Sequence, residues 1–153
     1  MRGTAIFKAD PGSAHIAYGV ELDHDWRAQA GHVHGEIGEA SIAHHMTYSR
    51  GGWSLNGTPV AGLAHLRDLD FGFTPATNMP ALRRAALAQG QSADLPAAWF
   101  DLEPPGLAEL PQHYRRQSQT QYDYHSPTAG YRAILELAPS GFVRVYPGLW
   151  EMA

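Results

Sequence analysis

Residues 68–84, DLDFGFTPATNMPALRR, combine two carboxylates, an amide and two guanidinium groups in one short run. On a strand, Asp68 and Asp70 point to the same face, because side chains alternate with a period of two. Two neighbouring carboxylates can act as an acid/base pair, since proximity separates their pKa values. They can equally bind a cation or accept hydrogen bonds from sugar hydroxyls. Arg83 or Arg84 could bind a phosphate or a carboxylate.

A structural role explains the same run of residues. Thr74-Pro75 favours an extended backbone, Asn78 can bond to turn backbone, and Pro80 suits the first turn of a helix. Aspartates beside such a corner either cap the turn or pair with the two arginines. Spacing alone favours this structural role and leaves the functional one open.

Nine histidines raise metal binding as an alternative. His32 and His34 share a strand face, and a hairpin turn near residues 35–38 would bring His44 opposite them, in an arrangement that can bind zinc or copper. Surface histidines on a sheet are common, however, and we predict no metal site. The sequence has no cysteine, which excludes disulfides, thiolate zinc sites and thiol nucleophiles. It also lacks HExxH, G-x-S-x-G and glycine-rich phosphate-binding motifs, so we predict no cofactor.

Aromatic residues are spread along the chain and usually form core when they lie on a sheet. The functional alternative is that some of them line an apolar cavity with hydroxyls at its mouth, which suits an amphiphile. Tyr122 and Tyr124 share one strand face. The residues in question are Trp26, Trp53, Trp99, Tyr114, Tyr122, Tyr124 and Tyr131.

The segments that must position these residues have the period of strands. In SAHIAYGVELD (13–23) the even positions are apolar or aromatic and the odd ones polar or small, which predicts a half-buried strand. YRAILELA repeats the pattern, and GFVRVYP, AAWFDLE and TQYDYHS are rich in aromatic or β-branched residues. Turn signals such as Asp10-Pro11-Gly12 and Asn56-Gly57 separate these segments. We therefore predict an all-β, mainly antiparallel fold: a sandwich, a barrel or a curved roll.

One segment favours a helix. MPALRRAALAQG (79–90) contains good helix formers and reaches Gly90, which could be the C-cap. Leu82 and Leu87 fit a strand as well as a helix. We predict one short helical segment near 79–88, for which the evidence is strongest at its start.

Length and composition limit the function classes. The 153 residues predict a single domain, and 44% hydrophobic with 17% charged residues is ordinary for a globular protein. A net charge of −4 argues against nucleic acid or an anionic membrane surface as the main partner. The N-terminus lacks a signal-peptide pattern and no segment has membrane-spanning length, so we expect no integral membrane association and a cytoplasmic location.

The run at 68–84 resembles the signature of the putative glycolipid-binding family, a bacterial group. That signature reads Asp-x-Asp, then Thr-Pro-x-Thr-Asn, then Pro-x-x-Arg-Arg. YGVELDHDWR (18–27), GGWSLNG (51–57), residues 111–126 and GFVRVYPGLW (141–150) are similar to further family segments in the same order. The positions that match the signature are Asp68, Asp70, Thr74, Pro75, Thr77, Asn78, Pro80, Arg83 and Arg84.

The resemblance implies a spiral β-roll, a long antiparallel sheet curled into a half-barrel like that of the lipoprotein carriers. Family members usually begin with a further segment before the strand that corresponds to GTAIFK. This chain starts at Met1-Arg2-Gly3 without that segment, so either its start is misassigned or one sheet edge is open, and an open edge predicts a homodimer.

The resemblance also implies a function. We expect a non-enzymatic protein that binds a glycolipid or fatty-acyl amphiphile in the concave face of the sheet. The alternatives are an enzyme that uses Asp68 and Asp70 on a lipid-like or sugar substrate, and a structural or partner-binding module. Asp68, Asp70 and Asn78 would meet hydroxyls, and an arginine would meet an anionic headgroup. The predicted ligand-binding residues are Asp68, Asp70, Thr77, Asn78, Arg83, Arg84, Trp26, Tyr122 and Tyr124.

Overall fold

The computed structural model describes residues 1–9 and 12–151, in which strands dominate and the single α-helix is short. Every strand pair whose register is defined is antiparallel. The predicted all-β, mainly antiparallel class is therefore confirmed. Asp10 and Pro11 of the first predicted turn lie outside the described residues. The chain divides into two compact units, the first ending at Leu69 and the second beginning at Asp70.

The first unit is a meander of six strands in which each strand pairs with the next. In the second strand, β2 (Ser13–Leu22), the predicted alternation is confirmed: Ala14, Ile16 and Val20 are buried, whereas His15 and Glu21 are exposed. The buried face forms the core of this unit because its side chains are the apolar ones. The strands are β1 (Arg2–Lys8), β2 (Ser13–Leu22), β3 (Ala28–Ile37), β4 (Ala40–Ser49), β5 (Gly52–Leu55) and β6 (Thr58–Val60).

Two glycines of this sheet make room for rings from the neighbouring strand. Gly3 lies opposite Tyr18, and Gly19 lies opposite His32. A Cβ atom on either glycine would lie well inside van der Waals contact with the opposing ring. Each ring therefore occupies the space that a side chain on its partner residue would need.

The β3–β4 hairpin contradicts the register that we expected for the histidines. Ile37 pairs with Ala40, so the turn is a two-residue loop at 38–39. Gly38 supplies the positive φ of 59° that such a loop needs. His32 consequently pairs with His45, and His44 pairs with Val33 on the opposite face. The expectation that His44 lies opposite His32 and His34 was wrong. In the part of the chain that the structure describes, no three His, Asp or Glu side chains come together as metal ligands.

The second unit contains two open sheets and the helix. The elements are β7 (Leu69–Phe71), α1 (Asn78–Ala85), β8 (Ser92–Asp94), β9 (Ala97–Leu102), β10 (Pro105–Leu110), β11 (His113–Arg116), β12 (Gln121–Ser126), β13 (Tyr131–Leu137), β14 (Val143–Tyr146) and β15 (Trp150–Glu151). The strands predicted in AAWFDLE, TQYDYHS, YRAILELA and GFVRVYP are confirmed as β9, β12, β13 and β14. One sheet has the strand order β10-β9-β7 and the other β15-β14-β13-β12-β11-β8.

The TPATN segment forms the corner between β7 and α1. Pro75–Thr77 is a 3-10 turn, and Thr74 caps it because its Oγ1 accepts a hydrogen bond from Ala76 N at 3.3 Å. The predicted corner is therefore present. α1 has only eight residues, and no helix in the described ranges is long and apolar enough to span a membrane.

The helix ends earlier than predicted. Ala86, with φ of 45°, adopts the left-handed conformation, and its N–H donates to Leu82 O at 3.1 Å. The prediction of Gly90 as the C-cap was therefore wrong. Ending the helix at Ala85 turns the chain so that Leu87 joins Leu82 in the core of the second unit. Burial of Leu87 outweighs the cost of placing an alanine in the left-handed region.

Candidate functional site: a tyrosine-lined cavity in the second unit

The second unit contains a cavity of about 470 Å³, within the size range of small-molecule sites. Aromatic and aliphatic side chains form most of its wall, and a smaller number of carboxyl, hydroxyl and amide groups interrupt it. We call it the tyrosine cavity. Its lining residues are Asp70, Phe71, Gly72, Thr74, Asn78, Trp99, Ala108, Glu109, Leu110, Tyr124, Ser126, Thr128, Ala129, Tyr131, Tyr146 and Leu149.

Three tyrosines from adjacent strands make up one wall. Tyr124 lies on β12, Tyr131 on β13 and Tyr146 on β14. Their ring centroids are 5.3 to 6.0 Å apart, so each ring contacts the other two. The Tyr131 hydroxyl donates a hydrogen bond to Pro147 O at 2.6 Å, which fixes that ring. The wall is apolar in area and carries phenol groups at its surface.

Trp99 of β9 contributes a further aromatic surface, and small residues make room for it. A Cβ atom on Gly72 would lie 2.9 Å from Trp99 Nε1, so only glycine leaves the ring its present position. Ala108 of β10 is the residue opposite Trp99 in the sheet and also lines the cavity. The indole can occupy this position because Gly72 has no side chain and Ala108 has only a methyl group.

A buried carboxylate lies at the polar part of the wall. Asp70 is 8% exposed, and both of its oxygens accept hydrogen bonds. Thr77 Oγ1 donates to Oδ1 at 2.5 Å, and Gln112 Nε2 donates to Oδ2 at 2.6 Å. The same threonine oxygen accepts a hydrogen bond from Phe71 N at 3.1 Å. These contacts fix the orientation of the carboxylate before any ligand binds.

The network continues to the helix. Asn78 Nδ2 donates to the Tyr114 hydroxyl at 2.7 Å, and that hydroxyl donates to Gln112 Oε1 at 2.6 Å. The amide of Gln112 is thereby oriented with its NH2 group toward Asp70. All of these side chains are buried, where hydrogen bonds that satisfy every partner hold a single arrangement. Asn78 and Asp70 thus form a pre-organised polar edge of the cavity.

The phenols of the wall keep their protons at neutral pH. Burial raises the pKa of Tyr124 to about 12; the Tyr146 hydroxyl lowers it, the charge of Asp70 raises it and the Ser126 hydroxyl lowers it. Burial also raises the pKa of Tyr146, and so do the charge and the hydrogen bond of Tyr124. Desolvation penalises the phenolate in each case. The phenols therefore act as neutral hydrogen-bonding groups.

One hydroxyl in the wall lacks a hydrogen bond. Ser126, at the end of β12, is 1% exposed. It is close to Tyr124, but its Oγ has no hydrogen-bond partner of acceptable geometry among the described residues. Buried polar atoms are rarely left in this state, because the lost hydration costs about 1–3 kcal/mol. The nearest polar neighbour of Ser126 is the Tyr124 hydroxyl, whose pKa the serine lowers.

The charged groups around the cavity have one sign. Asp70 and Glu109 bring carboxylates to its lining, and the lining contains no Lys, Arg or His among the residues that the structure describes. The formal charges of the described lining are therefore carboxylates, whereas its hydrogen-bond donors are neutral groups such as the indole of Trp99 and the tyrosine hydroxyls.

Some of the predicted ligand-binding residues meet in this cavity. Asp70, Asn78 and Tyr124 line it together. Thr77 lies behind the wall and holds Asp70. Part of the sequence signature, including Asp70 and Asn78, therefore lies in one pocket.

The other predicted residues lie elsewhere. Arg83 and Tyr122 line a separate groove of about 620 Å³ in the second unit. Arg84 lies on α1 and is half-buried. In the first unit, Asp68 is buried near the end of the unit, and Trp26 lines a pocket of about 580 Å³ beside the β2–β3 turn.

Sequence reasoning missed Gln112, Ser126, Glu109 and Tyr146 as site residues, and it named Trp99 only among the aromatic residues that could line a cavity. A usable signal existed for Ser126, because in QYDYHS it shares the period-two face of Tyr124. The same period gives no reason to connect Gln112 with Asp70, which is 42 residues away in sequence.

Comparison with known proteins assigns the family. The model of the family described as putative glycolipid-binding matches residues 1–152. The chain belongs to this family. One family match therefore spans both units and includes every residue that lines the tyrosine cavity. Among curated proteins, none matches the chain significantly.

A solved structure of a related protein supports the fold. A DUF1089 family protein from Pseudomonas aeruginosa is similar, with a TM-score of 0.83 and 24% sequence identity, over 99% of this chain and 92% of that chain. At this identity the likeness concerns the fold alone. The expected membership of the putative glycolipid-binding family is confirmed by the family match.

Proposed function

We propose that this protein binds an amphiphilic small molecule, a glycolipid or a similar lipid-like compound, in the tyrosine cavity, without catalysing a reaction. The observation that carries the proposal is the composition of this cavity. An apolar aromatic wall, where Tyr124, Tyr131 and Tyr146 meet, adjoins a pre-organised polar edge at Asp70 and Asn78. A ligand with an apolar and a hydroxyl-bearing part matches both.

The apolar wall accounts for affinity. Each methylene that moves from water into the cavity contributes about 0.8 kcal/mol, which is roughly a fourfold change in Kd. A cavity of about 470 Å³ has room for several methylenes. Useful affinity therefore needs no covalent or metal chemistry.

The polar edge supports recognition rather than proton transfer. Both Asp70 oxygens already accept hydrogen bonds from Thr77 and Gln112. A carboxylate fixed in this way keeps one orientation at the edge of the cavity. Binding to a pre-organised site also costs less conformational entropy.

Calorimetric titration with alkyl glucosides of increasing chain length tests the proposal. We expect Kd to fall by roughly fourfold per added methylene until the cavity is filled. Ala108→Phe, which fills the space opposite Trp99, should abolish binding. Ala43→Phe is the matched control, because Ala43 is also an exposed alanine on a strand but lies in the first unit.

Two results would contradict the proposal. One is the absence of binding for every chain length, together with no extractable lipid in native mass spectra of the purified protein. The other is unchanged binding by Ala108→Phe. In both cases the tyrosine cavity would not be the ligand site.

A further inference from the structure

Four histidines lie together on the solvent-facing side of the first sheet. We propose that this surface binds an anionic lipid bilayer in mildly acidic solution, when its imidazoles gain protons. The inference goes beyond the function proposed above, because it concerns a surface of the first unit and not the cavity of the second. We call this surface the histidine face, and it is formed by Arg2, Ile6, His15, His32, His34 and His45.

The pairing of β1 to β4 brings three of these histidines to one end of the face. His32 pairs with His45 of β4 and with Gly19 of β2, and Gly19 pairs with Arg2 of β1. Residues that lie directly opposite each other in antiparallel strands have their side chains on the same face. His34 lies two positions after His32 and shares that face, with the two rings stacked at a centroid distance of 6.0 Å.

The same register adds the fourth histidine and an apolar side chain. His15 of β2 pairs with Ile6 of β1 on one side and with Glu36 of β3 on the other. His15, His34 and His45 are exposed, and His32 is half-buried because its ring lies over Gly19. The imidazoles can therefore exchange protons with solvent and contact a large partner.

The formal charge of the face depends on these histidines. While the imidazoles are neutral, the cations Arg2 and Lys8 are balanced by the carboxylates Glu21 and Glu36, all four of which are exposed. Histidine is the side chain whose charge changes most readily between about pH 5 and pH 8. Protonation converts a balanced surface into a cationic one. The net charge of the whole chain, which argued against an anionic membrane surface, does not reveal this local change.

Other charged groups lie at the border of the face. Glu39 is exposed in the β3–β4 turn. Asp23 already accepts hydrogen bonds from the backbone N–H groups of Asp25 and Arg27, at 2.9 Å each. The pocket beside the β2–β3 turn brings further groups to the side of His32, namely Arg2, Glu21, Asp23 and His24.

The immediate neighbours of His34 and His45 carry no charge that could balance an imidazolium. His34 lies between Ala17 of β2 and Ala43 of β4. The backbone N–H of His45 donates to the amide oxygen of Asn56 at 2.9 Å. Adjacent imidazolium groups repel one another, and this repulsion is relieved when a negatively charged surface approaches from solvent.

The apolar side chain favours a bilayer over a nucleic acid as the partner. Ile6 is 62% exposed and lies beside His15. Cationic groups bind anionic headgroups, and an adjacent apolar side chain can enter the boundary of the acyl chains. Phosphate contacts of a nucleic acid would use the charges but leave the isoleucine without a partner. The histidine face combines the two kinds of side chain that a membrane surface requires.

Co-sedimentation with vesicles tests the inference. The probes are vesicles of phosphatidylcholine alone and of an equal mixture with phosphatidylglycerol, at about pH 7.5 and about pH 5 and at constant ionic strength. Each positive charge near an anionic bilayer strengthens binding by roughly fivefold, so partition onto the mixed vesicles should increase at least about tenfold at the lower pH. Added salt should reverse the gain.

Three outcomes of this measurement would overturn the inference. The first is equal binding to the mixed vesicles at both pH values. The second is equal binding to vesicles with and without phosphatidylglycerol. The third is binding of duplex DNA in acidic solution without binding of vesicles, which would assign the face to nucleic acid. None of these outcomes affects the proposed ligand of the tyrosine cavity, which alkyl glucosides test separately.

Paired variants test the histidines. His34→Gln/His45→Gln removes two exposed imidazoles and should weaken acidic binding to the mixed vesicles by about tenfold or more. His113→Gln/His125→Gln is the matched control, because these two histidines lie directly opposite each other on β11 and β12 of the second unit. Equal binding by both double variants would overturn the inference, since a general effect of acid on the protein would be common to them.

Ile6→Ser tests the apolar contribution. Loss of the isoleucine should weaken acidic binding to the mixed vesicles by about tenfold, the effect of one apolar side chain that leaves water. Ile134→Ser, at an exposed isoleucine on β13, is the matched control. If Ile6→Ser binds as tightly as the control, the face recognises charge alone and the assignment to a bilayer is overturned.

Discussion

Thr77→Val should destabilise the protein although it leaves the size of the side chain almost unchanged. Thr77 is 3% exposed, and its hydroxyl makes two main hydrogen bonds besides a longer contact with Thr74 O at 3.3 Å. It accepts a hydrogen bond from Phe71 N at 3.1 Å and donates one to Asp70 Oδ1 at 2.5 Å. Valine replaces this oxygen by a methyl group that can take part in neither bond. The variant therefore isolates the polar contribution of the TPATN corner.

The magnitude follows from the two lost contacts. Loss of a partner for a buried N–H costs about 1–3 kcal/mol, and a hydrogen bond to a charged group contributes about 1.5–3 kcal/mol. The added methyl group offsets about 0.8 kcal/mol of this. The expected loss in the free energy of unfolding is about 2–4 kcal/mol. Thr77→Ser keeps the oxygen and loses one methyl group, so it should lose only about 1 kcal/mol.

Urea unfolding of the wild type and both variants measures the difference. The transition should be followed by far-ultraviolet circular dichroism and by tryptophan fluorescence, since coincident curves are required for a two-state free energy. The reasoning is refuted if Thr77→Val is as stable as the wild type. It is also refuted if Thr77→Ser loses as much stability as Thr77→Val, because the methyl group would then be the important part.

Four further predictions concern single positions in the second unit. Gly72→Ala should displace the Trp99 indole, weaken amphiphile binding and shift the tryptophan emission spectrum, whereas an unshifted spectrum with full binding would contradict the described packing. Ala86→Gly should raise the free energy of unfolding by about 0.5–1 kcal/mol, since glycine adopts the left-handed C-cap conformation without strain, and denaturant unfolding measures this gain. The free energy of unfolding should keep its full value below pH 10 and should fall between pH 10 and about 12. The reason is that the unfolded chain loses the Tyr124 proton near pH 10, whereas the folded protein keeps it to about pH 12. Tyr146→Phe should raise the pKa of Tyr124 further, which ultraviolet titration of tyrosinate can test, and a lower pKa would contradict the assigned contact.

The sequence was most informative where one physical requirement determined the pattern. The half-buried strand β2 needs apolar residues on alternate positions, and Ala14, Ile16 and Val20 provide them. The corner at Thr74-Pro75 was predictable for a similar reason, because its backbone conformations restrict the residue types that fit.

Features that depend on distant contacts could not be predicted. The helix ends at Ala85 because Leu87 is then buried in the core. Helix propensity depends on local sequence only and does not reflect this burial. The face of the sheet on which His44 lies depends on where the hairpin turns. The turn lies at 38–39 and not near 35–38, and because side chains alternate between the two faces, such a change in register moves His44 to the other face.

The candidate site was predictable only in part for the same reason. Asp70 and Asn78 lie in one continuous signature, so sequence could place them together. Their connection through Gln112 and Tyr114 requires β11, which lies more than thirty residues further along the chain. Side chains from separate segments meet only when the pairing of strands is known.

The glycines that face aromatic rings have a consequence for the evolution of the family. Gly3 is coupled to Tyr18 and Gly19 to His32, because each ring fills the volume above its glycine. A relative that carries a larger residue at one of these glycines should carry a smaller one in place of the ring. The two members of each pair should therefore change together across the family, even where neither contacts a ligand. An alignment of relatives would then record the strand register of the first unit as coupled substitutions.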